Sequence, residues 1–384
     1  MEISSHQGFA PEAKLLVLAC SHGSIETRAT RLGELARVAN CQSVVDLALA
    51  HGVAPPVFRA LSSIDHRVDP EALERLRRFQ RDLAVRNLAL ARELSEQLER
   101  FERAGLSALA LKGPILALNA YGDVGARQFQ DLDILVAARA YPVACELLAS
   151  AGFELRQDWG YQASFRRKAT TIDLHRQSGS PDLGRAVPFE DLWARRQVVR
   201  FAGRSIFTPG PEDTLILSCA ELMGDGLHHR LTLQKVRDVA AASSSPRLEW
   251  AEVRRRARRF GCLRHVAGGL AVAQALVGLD APTDRLPPPP RFSQRVTRAI
   301  FDADGPKLPT PLELLRFSFE LRALSPELAR QTLAIGARLI APNEHDRELI
   351  HLPRRLEAFY YGVRPVRLVL ERIRKQYSKA KSRA

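Results

Sequence analysis

The segment Asp131-Leu132-Asp133-Ile134-Leu135-Val136 constrains this chain more than any other. It is short, apolar and branched after its first residues, which predicts a buried strand. Strand side chains alternate between faces, so Leu132 and Ile134 turn to a core while Asp131 and Asp133 share the opposite face, roughly 6 to 7 Å apart along the chain. Two carboxylates placed like this repel and raise one another's pKa unless a cation neutralises them. A hard divalent ion suits them, because Mg²⁺ is commonly held by one or two carboxylates and completed by substrate phosphates.

The flanking texture is helical. Asp69-Pro70 supplies an N-cap and a first turn, and Leu73, Leu76, Phe79, Leu83, Leu90, Leu94, Leu98 and Phe101 recur at helical spacing until Gly105, predicting one long amphipathic helix preceded by two shorter ones between Pro11 and Leu61. The run Leu106 to Gly113 then predicts a strand, Pro114 to Tyr121 a helix, and Tyr141 to Gly152 another helix. FELRQ, YQASFRRK and TTIDLHRQ follow as successive strands. From Pro211 four helical segments succeed one another, and APTDRLPPPP can be neither helix nor central strand, because proline lacks the amide donor. The expected fold class is α+β, a small mixed-sheet core embedded in mainly helical regions.

A third acid belongs with the first two. In TTIDLH, Ile172 and Leu174 point one way and Thr171, Asp173 and His175 the other. If this strand lies beside the first, three carboxylates converge, as two-metal phosphoryl transfer requires. Upstream, Lys112 and Gly113 sit at a strand-to-helix turn. Glycine permits close backbone approach, the helix start offers free amides and lysine adds positive charge, all suited to a triphosphate. Arg127, four residues before Asp131, has two open roles: a phosphate contact or an ion pair with an aspartate. His228 and His229 are adjacent, so they point to different sides of a helix and make a poor metal pair.

Charge and composition narrow the classes. The formal net charge is +14, which invites nucleic acid, yet the 49 Arg and 8 Lys are dispersed along the chain. Two local clusters, Arg254 to Arg259 and the tail from Arg364 to Arg383, are expected to be solvated faces or weak anion-binding surfaces. The 5 cysteines are scattered without C-x-x-C spacing, which argues against a disulfide scaffold or structural zinc and points to a cytoplasmic setting. Neither the N-terminal apolar run nor that around Val266 to Leu279 is long enough for a signal peptide or a membrane span. Walker A, G-x-G-x-x-G and G-x-S-x-G sequences do not occur.

LKGPILALNAYGDVGARQFQDLDILV, followed some forty residues later by IDLH, resembles the bacterial family of uncharacterised nucleotidyltransferases within the DNA polymerase beta superfamily. The resemblance extends to AHGVAPPVFRAL, to Leu215 to Ala240 with His228 and Asp238, and to LPRRLEAFYYGVRPVRL. It implies that Asp131 and Asp133 are metal ligands and Asp173 the third catalytic carboxylate. Lys112 and Gly113 would stand where better-known relatives carry Gly-Ser, the turn that binds the β and γ phosphates, with Arg127 nearby. The implied activity is Mg²⁺-dependent transfer of a nucleoside monophosphate from an NTP to an acceptor hydroxyl or similar group, Mn²⁺ being an alternative ion. Members often accompany natural-product or exopolysaccharide gene clusters. The expected partners are an NTP and an unidentified acceptor, with nucleic acid less favoured.

Two other readings stand beside this one. A glycosyltransferase would use D-x-D with Mn²⁺ on a nucleotide sugar, but needs a larger nucleotide-sugar domain than the core offers. An inactive nucleotide- or RNA-binding scaffold would keep the fold without turnover. The expected division is 1–104 helical, 105–210 nucleotidyltransferase-like core, 211–280 helical, 281–310 connector and 311–384 helical with a basic tail.

Overall fold

Helical and strand periodicities segregate along the chain, and the tertiary fold keeps them apart. The computed structural model describes residues 8–64, 68–179, 187–201, 203–228 and 231–301, together with Glu313, Phe317, Glu320 and Leu321. His229, most of the region after 301 and the basic tail lie outside the described residues.

Among the described residues four α-helices, not two, precede the long one: α1 (Pro11–Cys20), α2 (Ala29–Val38), α3 (Cys41–Ala50) and α4 (Ala54–Ser62). Local chemistry explains the extra breaks. The Asn40 side chain accepts from the Ser43 amide and starts α3 afresh, and Pro55 and Pro56 fit only the first turn of a new helix, α4. Helix α5 (Pro70–Arg103) is the predicted amphipath, its Asp69 cap accepting from the Glu71 amide. At 1.5 Å per residue its 34 residues span roughly 50 Å. That length lets it serve two cores: Leu73 and Leu76 pack with the helical body, whereas Leu90, Leu94 and Phe101 pack against the sheet.

The sheet comprises β1 (Ala108–Ala110), β2 (Asp131–Val136), β3 (Glu154–Asp158), β4 (Gln162–Arg167) and β5 (Thr170–His175), in the order β1-β2-β5-β4-β3. The β2 and β5 strands are parallel, and every other neighbouring pair is antiparallel. Helices α6 (Gly113–Tyr121) and α7 (Tyr141–Ser150) bracket β2 in sequence. Leu132, Ile134, Val136, Ile172 and Leu174 fill the core between the sheet and these helices. Leu135, on the other face of β2, joins the helical core.

After the sheet come α8 (Phe189–Ala194) and a hairpin that sequence periodicity did not single out, β6 (Gln197–Phe201) and β7 (Arg204–Thr208). The Thr208 hydroxyl donates to the Ala110 carbonyl at 2.7 Å, tying the hairpin to β1. Helices α9 (Pro211–His228), α10 (Leu233–Ser243), α11 (Trp250–Arg259) and α12 (Leu263–Val277) follow as read, and α13 (Phe292–Ala299) starts directly after the prolines at 287–290, inside the stretch 281–310 expected as connector. The arginine cluster on α11 is not the uniform solvated face expected. Arg256 is buried and clasps Asp213 through two hydrogen bonds of 2.7 and 2.8 Å, whereas Arg255 and Arg259 pair at the surface with Glu252 and Asp191. Its period places Arg256 beside Val253 and Ala257 on the apolar face, where only an ion pair makes a guanidinium tolerable. All five cysteines are free, and among the described residues no helix is long and apolar enough to cross a membrane.

Candidate active site

Strand register brings the acids together. In the parallel β2–β5 pair Asp131 stands opposite Thr171 and Asp133 directly opposite Asp173. Both strands bury their even-numbered side chains in the sheet core, so Asp131, Asp133 and Asp173 share the other face. That face forms the floor of a cleft of about 590 Å³, whose walls come from the turn before α6 and from α9 and α10.

The three carboxylates differ in surroundings. Asp133 is buried, and its Oδ1 accepts from His175 Nε2 at 2.9 Å and lies 3.7 Å from Lys112 Nζ. Burial works against its charge, but Lys112 and then His175 outweigh it and hold the carboxyl well below its usual range. Asp131 is pushed up to about 6, by burial first and then by the charges of Asp133 and Asp173. Asp173 also rises, chiefly through burial and the Asp133 charge. Its Oδ2 accepts from Gln162 Nε2 at 3.3 Å.

This donor set fits a divalent cation. It consists of hard carboxylate oxygens, two of them bearing negative charge that nearby lysine does not fully offset, and both contacts of Asp133 use Oδ1 alone. Among the described residues no group of three or more His, Cys, Asp or Glu already encloses a metal-sized site. The fit is to an open site completed by a substrate's phosphates, not to a full protein cage.

The turn upstream is built by its glycine. Gly113 has φ +54, and a Cβ there would lie 3.4 Å from the Asp131 carbonyl oxygen, so the start of α6 presses against the head of β2. Lys112 precedes it, with Nζ between Asp133 and the Glu221 Oε1, the latter at 3.0 Å. Burial opposes its charge, yet Asp133 and Glu221 together raise its pKa.

The family assignment agrees with this geometry. Residues 38–278 match the profile of the family described as uncharacterised nucleotidyltransferase. The chain belongs to that family. No curated protein is similar enough to count as a match. The solved structures distantly similar to this nucleotidyltransferase include three of differing coverage. The antibiotic-resistance factor ANT(2'')-Ia, solved in solution, shares 14% identity over 45% of this chain and 92% of its own, at a TM-score of 0.36. An antigenic nucleotidyltransferase-like protein from Paracoccidioides brasiliensis shares 15% over 52% of this chain and 94% of its own, at 0.29. A tRNA-processing enzyme in an apo form shares 13% over 72% of this chain and 97% of its own, at 0.22.

The helical wall of the nucleotidyltransferase cleft holds residues that sequence reading did not select. Glu221 and Asp225 lie four apart on α9 and share a face, a spacing visible in the sequence. Lys235 of α10 joins them, 3.1 Å from Glu221 Oε1 and hydrogen-bonded to Asp225 Oδ2. Burial works against the charge of Glu221, but Lys112 and Lys235 bring its pKa down to about 2.

Arg127 makes an ion pair, not with the acids of β2 but with an aspartate of the helical wall. Its Nε and Nη2 grip Asp238 of α10 at 2.8 to 3.1 Å, and both residues are buried. The same Asp238 accepts from the Tyr121 hydroxyl at 2.7 Å and from Gln234 Nε2 at 2.9 Å. Arg127 thus fastens the loop before β2 to the helical wall.

Proposed function

We propose that this nucleotidyltransferase moves a nucleoside monophosphate from an NTP to a hydroxyl or similar acceptor in a Mg²⁺-dependent reaction. The observation that carries the reading is the register of Asp133 against Asp173, with Asp131 on the same face and at the floor of a cleft. In this reading Asp131, Asp133 and Asp173 hold the divalent cation. When bound, that ion supplies charge neutralisation at the phosphates and lowers the pKa of an attacking hydroxyl. The acceptor oxygen attacks the α-phosphorus and loses its proton to solvent water, the α–β phosphoanhydride bond breaks, and pyrophosphate leaves.

The chain's own groups do the positioning. The backbone at Gly113, close against β2, receives the β and γ phosphates, and Lys112 shifts its ammonium from Asp133 and Glu221 to them. His175 keeps Asp133 oriented through Oδ1. Arg127 acts on the nucleotide only indirectly, by fixing the loop that carries Gln128 to Gln130 into the cleft. The wall of α9 and α10 forms the acceptor side, so 105–210 serves as the nucleotide half and the flanking helices as the acceptor half.

Calorimetric titration of each NTP with and without Mg²⁺, in wild type and in the Asp131→Asn/Asp133→Asn double variant, tests this. Metal-dependent binding that disappears in the variant supports the site, and it opens a screen of acceptors with the preferred NTP. A folded wild type that binds no NTP overturns the reading in favour of an inactive scaffold.

A further inference from the structure

A second cavity of about 370 Å³, within the ~300 to 1,000 Å³ range of small-molecule sites, is lined in part by Tyr121, whose hydroxyl bonds Asp238 of the cleft wall. It is formed where the ends of α1, α6 and α10 meet, and three arginines line it: Arg28, Arg59 and Arg237. No Asp or Glu is among its lining residues. Glu26, near enough to attract Arg28, accepts from the Ser24 hydroxyl and stays outside the lining.

The guanidiniums are only partly satisfied by the protein. Arg28 Nη1 donates to the carbonyls of Ser21 and His22, but its buried Nε has no hydrogen-bond partner. Arg237 stacks over the Tyr121 ring, 5.1 Å from its centroid, and its buried Nη1 is likewise unpartnered. Buried polar groups are almost always hydrogen-bonded, and two residues of this one lining each carry an orphaned guanidinium nitrogen. The two cations are also close enough to repel: burial first, and the Arg237 charge with it, holds Arg28 below its ordinary pKa. Arg59, on the exposed side of α4, completes a cationic rim, with the Asn119 side chain and the Ser244 and Ser245 residues beside it.

We propose that this cavity is an oxyanion site that takes the phosphate group of a small molecule. A phosphate brings two negative charges and several acceptor oxygens, and arginine's planar fork matches it. It would neutralise the mutual repulsion of Arg28 and Arg237 and give their unsatisfied N–H groups acceptors after small side-chain adjustments. The cavity is larger than one phosphate group requires, so it also accommodates an organic portion. Neither the carboxylates nor the turn at Gly113 lines it, so the proposal stands independently of the nucleotide site.

The test uses the full chain carrying Asp131→Asn/Asp133→Asn, which removes the metal-dependent site and leaves this cavity intact. Inorganic phosphate, pyrophosphate and a sugar phosphate are each titrated calorimetrically at constant ionic strength without divalent metal, with chloride as the control. Saturable binding of at least one, weakened tenfold or more by Arg28→Gln and by Arg59→Gln, is the expected result. Binding by inorganic phosphate identifies a free-ion site, and binding by the sugar phosphate alone identifies a metabolite site. Arg59 is exposed, so Arg59→Gln keeps the test valid should Arg28→Gln fail to fold. No saturable binding of any of the three, or binding untouched by both substitutions, overturns the proposal.

Discussion

Asp133 of β2 faces Asp173 of β5 across adjacent parallel strands, 40 residues apart in sequence and in direct register. With Asp131 on the same face, the pair concentrates negative charge that Lys112 and His175 offset most strongly at Asp133. An arrangement of this kind trades stability for chemistry, and the trade can be measured.

Asp131 carries the clearest signature. Its pKa is raised from 3.8 to about 6, so ionising it costs free energy in the fold; that cost is absent below pH 3.8 and complete above about pH 6. In EDTA, Asp131→Asn is expected to be more stable than wild type by about 1 to 2 kcal/mol at pH 8 and unchanged at pH 3.5, while losing turnover. Urea unfolding at the two pH values, with an activity assay, checks both halves. A destabilised variant at pH 8 would contradict the electrostatic account.

Glu221 gives the opposite dependence. Burial notwithstanding, Lys112 and Lys235 lower its pKa from 4.5 to about 2, so its ionised form contributes stability in full above pH 4.5 and loses it as pH falls toward 2. Wild type should therefore lose on the order of 1 to 3 kcal/mol more than Glu221→Gln between pH 6 and pH 2.5. Parallel denaturation profiles would rule this out.

Lys112 is the shared counter-ion of Asp133 and Glu221. Lys112→Met leaves both half-compensated, and a loss of about 2 kcal/mol is expected in metal-free buffer, below the full cost of breaking a fully buried pair because the lysine side chain is 31% exposed. Mg²⁺ should raise the Tm of this variant more than that of wild type, since the cation takes over part of the lysine's work. Equal shifts in differential scanning calorimetry would place the ion elsewhere.

The Arg127–Asp238 clasp should behave as a buried pair. Arg127→Met alone strands Asp238 and is expected to cost about 3 to 5 kcal/mol, whereas Arg127→Met/Asp238→Leu costs less than the sum of the single changes. A double-mutant cycle by equilibrium unfolding measures the coupling, and additive effects would show that the two act separately.

Much of the site was legible because it rests on local periodicity. Period-two alternation alone puts Asp131 with Asp133 and Asp173 with His175, and Gly113 before Pro114 announces a turn into a helix. The shorter helices before α5 were harder to count, since only the Asn40 cap and the Pro55-Pro56 start separate runs of similar composition. Arg256 was misplaced with its surface neighbours because composition does not tell which arginine of a cluster meets a carboxylate 43 residues away.

The sequence by itself determined the α+β class, the strand faces and the acids that could gather there, because alternation and helical spacing are properties of the backbone repeat. Tertiary structure alone decided that β2 and β5 are neighbours in a register that opposes Asp133 to Asp173, and that Lys112 meets Glu221 and Arg127 meets Asp238. Those contacts join residues more than 100 positions apart in the two ion pairs, and they exist only because packing of α9 and α10 over the sheet delivers each charge to its partner in a buried cleft.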